Sequence, residues 1–208
     1  MGKPIVYGAD YSVYVRIVRL ALEEKGIDYD LVPVDVFATE GIPAWYLEHH
    51  PFGRIPAFEH DGFRLFETSA IARYVDEAFD GPALQPKDAR TRATLNQIIG
   101  MLDAYGYRAM VWDVAVERLE KEAPDEALIA SGLRHADTVL RVLTALKSEG
   151  PWLLGSQLTL ADLHAAPVIG YFLKVAEGRE TLATFPEIRD WWARIAGRAS
   201  FVRTEKAD

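Results

Sequence analysis

The segment Phe52-Gly53-Arg54-Ile55-Pro56-Ala57-Phe58 constrains this chain more than any other. Proline has no N–H for a ladder hydrogen bond, so Pro56 belongs at the start of a strand or at a peptide that turns in cis. The strand runs on to His60, Asp61-Gly62 supplies a hairpin turn, and Phe63 to Phe66 returns as a second short strand. Glu67-Thr68-Ser69-Ala70-Ile71 then opens a strongly helical segment. One helix N-terminus thereby gathers a carboxylate, a hydroxyl and main-chain N–H groups without intrahelical acceptors. Such a site suits a zwitterionic peptide. Its ammonium meets the acid, its carboxylate meets the hydroxyl and the amides, and its backbone pairs along the strand edge before Pro56.

Upstream, Ile5 to Gly8 reads as a short strand and Tyr14 to Lys25 as a helix with Val15, Val18, Leu20, Ala21 and Leu22 on its apolar face. Gly26 is a helix-ending signal. Tyr29 to Val36 reads as a strand, placed at a sheet edge by Pro33. Ala38 to His50 is irregular or weakly helical, and Thr68 to Phe79 is a helix. Asp80-Gly81-Pro82 and Gln85-Pro86 then break the pattern, which puts a linker at 81–88 between a domain at 1–80 and one at 89–208. The second domain shows no strand signal. It offers a long helix from Ala89 to about Lys121, bent at Gly100 and Gly106, and a helix from Glu126 to Ser148. Ile129, Leu133, Ala136, Leu140 and Leu143 mark the apolar face of the latter. Two more helices follow near Leu160–Ala176 and Pro186–Gly197. Thr159 and Asp162 fit a capping box at the first of these, with Leu158 and Leu163 as its staple.

The formal charge of −8 argues against nucleic acid or an anionic membrane as the main partner. The chain has no cysteine, so thiolate metal sites, disulfides and a cysteine nucleophile are excluded. Met-Gly-Lys-Pro leads straight into an apolar strand with no signal-peptide run, and the longest apolar stretch, Ala165 to Leu173, is too short to span a membrane. A cytoplasmic protein is expected. His49-His50 has no second ligand set at metal spacing and reads as a structural or surface pair. No phosphate loop, dinucleotide fingerprint or nucleophile elbow is present.

Ile55-Pro56 followed by Glu67-Thr68 resembles the glutathione site of cytosolic glutathione transferases. Tyr7-Gly8-Ala9-Asp10-Tyr11-Ser12-Val13-Tyr14-Val15-Arg16 resembles the strand–loop–helix of their bacterial-like, serine-type members. The layout is similar over the whole chain. The resemblance implies an α+β, thioredoxin-like N-terminal domain of order β-α-β-α-β-β-α, followed by an all-α domain. It implies Ser12 as the hydroxyl that stabilises the glutathione thiolate, Glu67 and Thr68 as the grip on the γ-glutamyl end, and Ile55 as the backbone partner of the cysteinyl unit beside Pro56. Arg54 stands where Lys or Gln is frequent and reaches for the glycyl carboxylate. Two readings of Ser12 stay open, a plain N-cap and a thiol donor. Tyr7 is a rival donor or a core-facing strand aromatic, and Arg16 faces the site or solvent. Tyr11, Tyr14, Tyr105, Tyr107, Met110 and Trp112 divide between an apolar substrate pocket and core or dimer contacts.

The chain departs from the family pattern at Val13, where Pro is common, at His50, where Asn often precedes Pro-Phe-Gly, and at Ser69, where Arg is frequent. The Ser-Ser-Cys signature of maleylacetoacetate isomerases is absent. The expected activity is conjugation of glutathione to an apolar electrophile, and the resemblance implies a homodimer packed through the Thr68–Phe79 helix and the start of the long helix. The partners are glutathione and a small hydrophobic electrophile, with no metal, no nucleic acid and no membrane. The rival expectations are a non-catalytic scaffold on the same fold and a glutathione-dependent isomerase.

Overall fold

The computed structural model describes residues 2–205, which divide into two units, one made of 2–84 with 199–205 and the other of 85–198. The first unit is built on a four-stranded mixed sheet of order β2-β1-β3-β4. β1 (Ile5–Tyr7) runs parallel to β2 (Asp30–Val32) and antiparallel to β3 (Ala57–His60), which forms a hairpin with β4 (Phe63–Phe66). The edge position expected from Pro33 is where β2 lies. β2 is shorter than the apolar run suggested, although Gly8 still bonds to the Val32 carbonyl and the Val34 N–H on either side of Pro33. A 3-10 turn (Ala44–Glu48) occupies the weakly helical stretch.

α1 (Val13–Lys25) buries Val15, Ile17, Val18, Leu20, Ala21 and Leu22, and ends at Gly26 with φ 71°, the left-handed cap that glycine adopts without penalty. α2 (Thr68–Ala78) packs on α1 through Ile71, Ala72 and Val75. Lys25 and Asp76 close the far end of this pair. The buried ammonium reaches the Asp76 carboxylate at 3.3 Å and its carbonyl at 2.9 Å, and the same carboxylate accepts from Leu84 N–H at 2.7 Å.

The second unit is helical. α3 (Ala89–Met101) continues without a break into a π-helical stretch (Leu102–Val116) and a last turn, α4 (Glu117–Glu120). The long helix of the sequence is thus continuous, with its middle wound as a π-helix. Against it packs α5 (Glu126–Leu146), closest at Gly132. A Cβ there would stand 2.8 Å from Val114 and 3.0 Å from the Ala109 carbonyl, so only glycine allows this approach. α6 (Leu160–Phe172) is buried on nearly all sides, as a helix apolar all round must be. The Asp162 carboxylate anchors its start, accepting from Leu153 N–H, Thr159 N–H and Trp191 Nε1 at 2.8 Å each and from the Thr159 hydroxyl at 2.9 Å. α7 (Ala176–Ala183) and α8 (Pro186–Ala196) complete the unit.

The last helix, α9 (Ala199–Arg203), departs from the expected boundary. It follows the helical unit in sequence yet belongs with the first. Arg16 explains this, because its guanidinium lies 3.9 Å over the Phe201 ring and donates to the Phe201 carbonyl at 2.8 Å. Arg19 donates to the Thr204 carbonyl at 3.2 Å, and Arg203 pairs with Glu23 at 2.7 Å. Arg16 therefore holds α9 on α1.

Candidate functional site

Strand register brings the expected site segments together. Tyr7 of β1 is paired with Ala57 of β3, and Ala57 with Phe66 of β4, so the three residues form one row across the sheet. Just beyond that row lie the turn to Ser12 after β1, Ile55-Pro56 before β3 and Glu67-Thr68 after β4. All three leave the same end of the sheet. The approach is close at Gly8, where a Cβ would stand 2.4 Å from Val15 and 3.4 Å from the Ile55 Cβ.

Ser12 is the N-cap of α1 in extended conformation, and its hydroxyl accepts from Val15 N–H at 3.4 Å. That bond is long for a cap. Its oxygen also stands at the positive end of a 13-residue helix. Tyr7 sits differently. It is only 8% exposed, in a small core with Val34, Tyr46 and Ala57, and its ring lies 4.5 Å from that of His49. Burial, then the nearby Glu59 carboxylate, raises its phenol above the ordinary tyrosine range, the opposite of what activates a phenol.

The Ile55–Pro56 peptide is cis, and Pro56 is buried at the foot of β3. The β1–β3 pairing ends at Tyr7 with Ala57, so the main chain of Ile55 lies past the ladder. The loop before it is held by Tyr46. This residue is fully buried, and its hydroxyl donates to the Arg54 carbonyl at 2.6 Å. The side chain of Arg54 is exposed.

Glu67 caps α2 without a side-chain bond to the helix, and its backbone has φ 71° and ψ 111°. A non-glycine residue there carries about 1–3 kcal/mol of strain. Its carbonyl accepts from both Ala70 and Ile71 N–H at 3.0 Å, whereas the N–H groups of Thr68 and Ser69 have no acceptor among the described residues. Thr68 is buried in the first turn and the Glu67 carboxylate is exposed. A strained acidic residue therefore stands beside a hydroxyl and unpaired helix-start amides.

Three neighbours escaped the sequence reading or were undervalued by it. Tyr46 was one of several aromatics with no periodic signal to single it out. His50 is buried against Phe66, ring centroids 4.9 Å apart, and its Nδ1 has no partner. Burial lowers its pKa, with the Glu67 carboxylate acting against that and Arg54 with it. Asp35, on the loop after β2, accepts from the Tyr11 hydroxyl at 2.7 Å and from Phe37 N–H at 2.9 Å.

The other expected pocket residues divide between the units. Tyr11 and Tyr14 flank Ser12 and are half-buried. Tyr107 and Trp112 lie half-buried on the π-helical stretch, where Tyr105 is exposed and Met110 is fully buried in the core. Among the described residues no group of three or more His, Asp or Glu side chains could hold a metal, and no helix is long and apolar enough to cross a membrane.

Comparison with known proteins agrees with this geometry at the level of family. The family model described as glutathione S-transferase, N-terminal domain, matches residues 6–83, and that for the C-terminal domain matches residues 106–199. The chain is 29% identical to glutathione S-transferase F13 of Arabidopsis thaliana, over 95% of this chain and 93% of that protein. It superposes on the crystal structure of glutathione transferase F7 from Populus trichocarpa with a TM-score of 0.85, at 29% identity and 97% coverage of both chains. The apo structure of glutathione S-transferase III gives a TM-score of 0.83 at 30% identity, covering 98% of this chain and 95% of that one.

Proposed function

The chain belongs to the glutathione S-transferase family, and we propose that it conjugates the thiolate of glutathione to an apolar electrophile by a serine-type mechanism. The observation that carries this reading is the row Tyr7–Ala57–Phe66, beyond which Ser12, Ile55 and Glu67-Thr68 leave one end of one sheet. In the proposed pose the ligand's γ-glutamyl ammonium meets Glu67. Its α-carboxylate accepts from Thr68 and the unpaired helix-start amides. Its cysteinyl backbone pairs with Ile55 beside Pro56, and Arg54 reaches for the glycyl carboxylate. The thiol then lies at the start of α1.

Catalysis on this reading is activation and positioning of the thiol. Ser12 donates its hydroxyl to the sulfur, and the α1 dipole favours the same negative charge. The thiolate attacks an electrophilic carbon, the carbon–sulfur bond forms, and the leaving group departs with its electron pair or an adjacent acceptor atom takes it. Tyr11 and Tyr14, which flank Ser12, are proposed to receive the electrophile. The chain is proposed to act as a cytoplasmic homodimer.

Glu67→Gln tests the binding pose. It keeps size and backbone but removes the counter-charge of the ligand's ammonium. Calorimetry should show glutathione and its thiol-free analogue ophthalmic acid weakened by a similar factor. Unchanged affinity for both would move the site elsewhere and favour the scaffold alternative.

A further inference from the structure

The turn that carries Ser12 is tied to the rest of its unit at few points. Gly8 continues the parallel β1–β2 pairing past the strand ends, donating to the Val32 carbonyl at 3.0 Å and accepting from Val34 N–H at 3.3 Å. Between Gly8 and the helix the main chain makes two described bonds, Ser12 N–H to the Ala9 carbonyl at 3.1 Å and, from within α1, Arg16 N–H to the Ser12 carbonyl at 3.0 Å, neither of which reaches the loop after β2. The pairing of the two segments is taken up again by side chains. Tyr11, directly before Ser12, donates its hydroxyl to Asp35 Oδ1, and the same oxygen accepts from Phe37 N–H. One carboxylate oxygen therefore fixes the loop after β2 and the residue next to Ser12. The Tyr11 and Phe37 rings it holds lie 6.1 Å apart, tilted by 32°.

The chemistry suits a clamp. A phenol donating to an ionised carboxylate makes a charge-assisted bond, about twice as strong as a neutral one. The Tyr11 bond, followed by that of Phe37, holds the Asp35 carboxyl below its usual range, so the acceptor stays ionised at neutral pH. Ser12's own cap bond is long, at 3.4 Å, so α1 alone fixes its hydroxyl weakly. Nothing in the fold's core requires Asp35, which is exposed.

We infer that Asp35 is a positioning residue for thiol activation, acting through Tyr11 to hold the Ser12 turn in place. This rests on the serine-type reading above. The test uses Asp35→Ala, Asp35→Asn, Tyr11→Phe and the double variant Asp35→Ala/Tyr11→Phe, with Ser12→Ala measured alongside. Glutathione affinity is read by calorimetry, and the bound thiol by thiolate absorbance against pH. Asp35→Ala and Tyr11→Phe should each raise the bound thiol pKa by about half to one unit, which is about a three- to tenfold loss of thiolate below the pKa. The double variant should be no worse than either single one, because both remove the same bond. Asp35→Asn keeps an oxygen for both donors but loses the charge, so it should fall between wild type and Asp35→Ala. Glutathione affinity should hold throughout.

A Ser12→Ala shift with none in Asp35→Ala or Tyr11→Phe would overturn the clamp and leave the serine reading standing. No shift in Ser12→Ala would sink the serine reading itself, and the clamp's route through it. Additive losses, an Asp35→Asn variant as impaired as Asp35→Ala, or a parallel fall in glutathione affinity would each overturn the proposal. If Asp35→Ala folds poorly, Tyr11→Phe and Asp35→Asn decide the matter, because both preserve the shape of the turn.

Discussion

Replacing Ser12 by Ala separates the two readings of that residue by magnitude. As a cap it makes one bond of 3.4 Å to Val15 N–H. Losing it should cost about 0.5 kcal/mol of stability, the low end for N-cap serines. As a donor to a thiolate it contributes about 1.5–3 kcal/mol, the range for a hydrogen bond to a charged group. At 1.36 kcal/mol per pKa unit, the variant should raise the bound thiol pKa by about one to two units. The α1 N-terminus survives the substitution and supplies up to about 1 kcal/mol, so the thiol should remain somewhat below its free value of about 8.5. Turnover with a generic electrophile near neutral pH should fall about ten- to hundredfold, with glutathione affinity little changed. Tyr7→Phe should be mild, because Tyr7 is packed with Val34, Tyr46 and Ala57. The assay is thiolate absorbance of enzyme-bound glutathione against pH for wild type and both variants, with urea unfolding of each. An unshifted curve for Ser12→Ala beside a large shift for Tyr7→Phe would refute the reasoning and make Tyr7 the donor. No thiolate signal even in wild type would favour the scaffold.

Asp162→Ala leaves the Leu153 and Thr159 N–H groups and the Trp191 indole N–H buried without an acceptor. At about 1–3 kcal/mol each, the loss of stability should be about 4 kcal/mol in urea unfolding, and a wild-type midpoint would contradict that hydrogen-bond network. Glu67→Gly should unfold at higher urea than Glu67→Ala, by about 1 kcal/mol, since only glycine accepts φ 71° without strain. Equal stabilities would remove the strain argument. His50 is held neutral by burial, so its folded pKa lies below the unfolded value of about 6.5. The unfolded chain then takes up a proton first, and the stability from His50 is fully present above about pH 6.5 and lost as pH falls towards the folded value. His50→Asn should flatten the stability profile between about pH 7 and pH 5, and identical slopes for both proteins would count against it.

Most of the fold was legible because it rests on local signals. Gly26, Asp61-Gly62, Pro56 and the break at Asp80-Gly81-Pro82 each fix an element boundary through backbone chemistry. The capping box at Thr159 and Asp162 was readable for the same reason. What stayed hidden depends on contacts distant in sequence. The short α9 has no periodicity to reveal it, and its place is set by Arg16 and Arg19, far away in the chain. The π-helical stretch carries no pattern that separates it from an α-helix. At Asp162 the cap was visible but not the Trp191 and Leu153 donors, so the sequence alone undervalues that carboxylate. In the site, Ser12, Ile55-Pro56 and Glu67-Thr68 were found as motifs. Tyr46, Asp35 and the buried ring of His50 act through pairings that spacing does not encode. Met110, which the sequence left open between pocket and core, is core.

A comparison of helix starts explains why the proposed site lies where it does. α3 and α5 begin with Asp88 and Asp125, each accepting from two main-chain N–H groups, at 2.7–3.2 Å and 2.9–3.1 Å. These are caps whose whole capacity goes into stability. α7 and α8 begin at Val175 and Phe185, which have no polar side chain to offer. Of these described starts, α1 and α2 are the ones where a polar N-cap side chain is present and underused. Ser12 makes one long bond, and Glu67 makes none while its backbone is strained. Side chains at ordinary helix starts are expected to satisfy the first-turn amides. Here a hydroxyl and a carboxylate are left facing outward at the end of the sheet where Ile55-Pro56 also ends its ladder. A fold selected for stability alone has no reason to leave both, and a ligand that supplies a thiol to one and an ammonium to the other gives it one. Strain at a functional residue persists only where the surroundings over-determine it. The buried Tyr46–Arg54 bond supplies that rigidity beside the site, and the Lys25–Asp76 pair fixes α1 against α2 at their other ends.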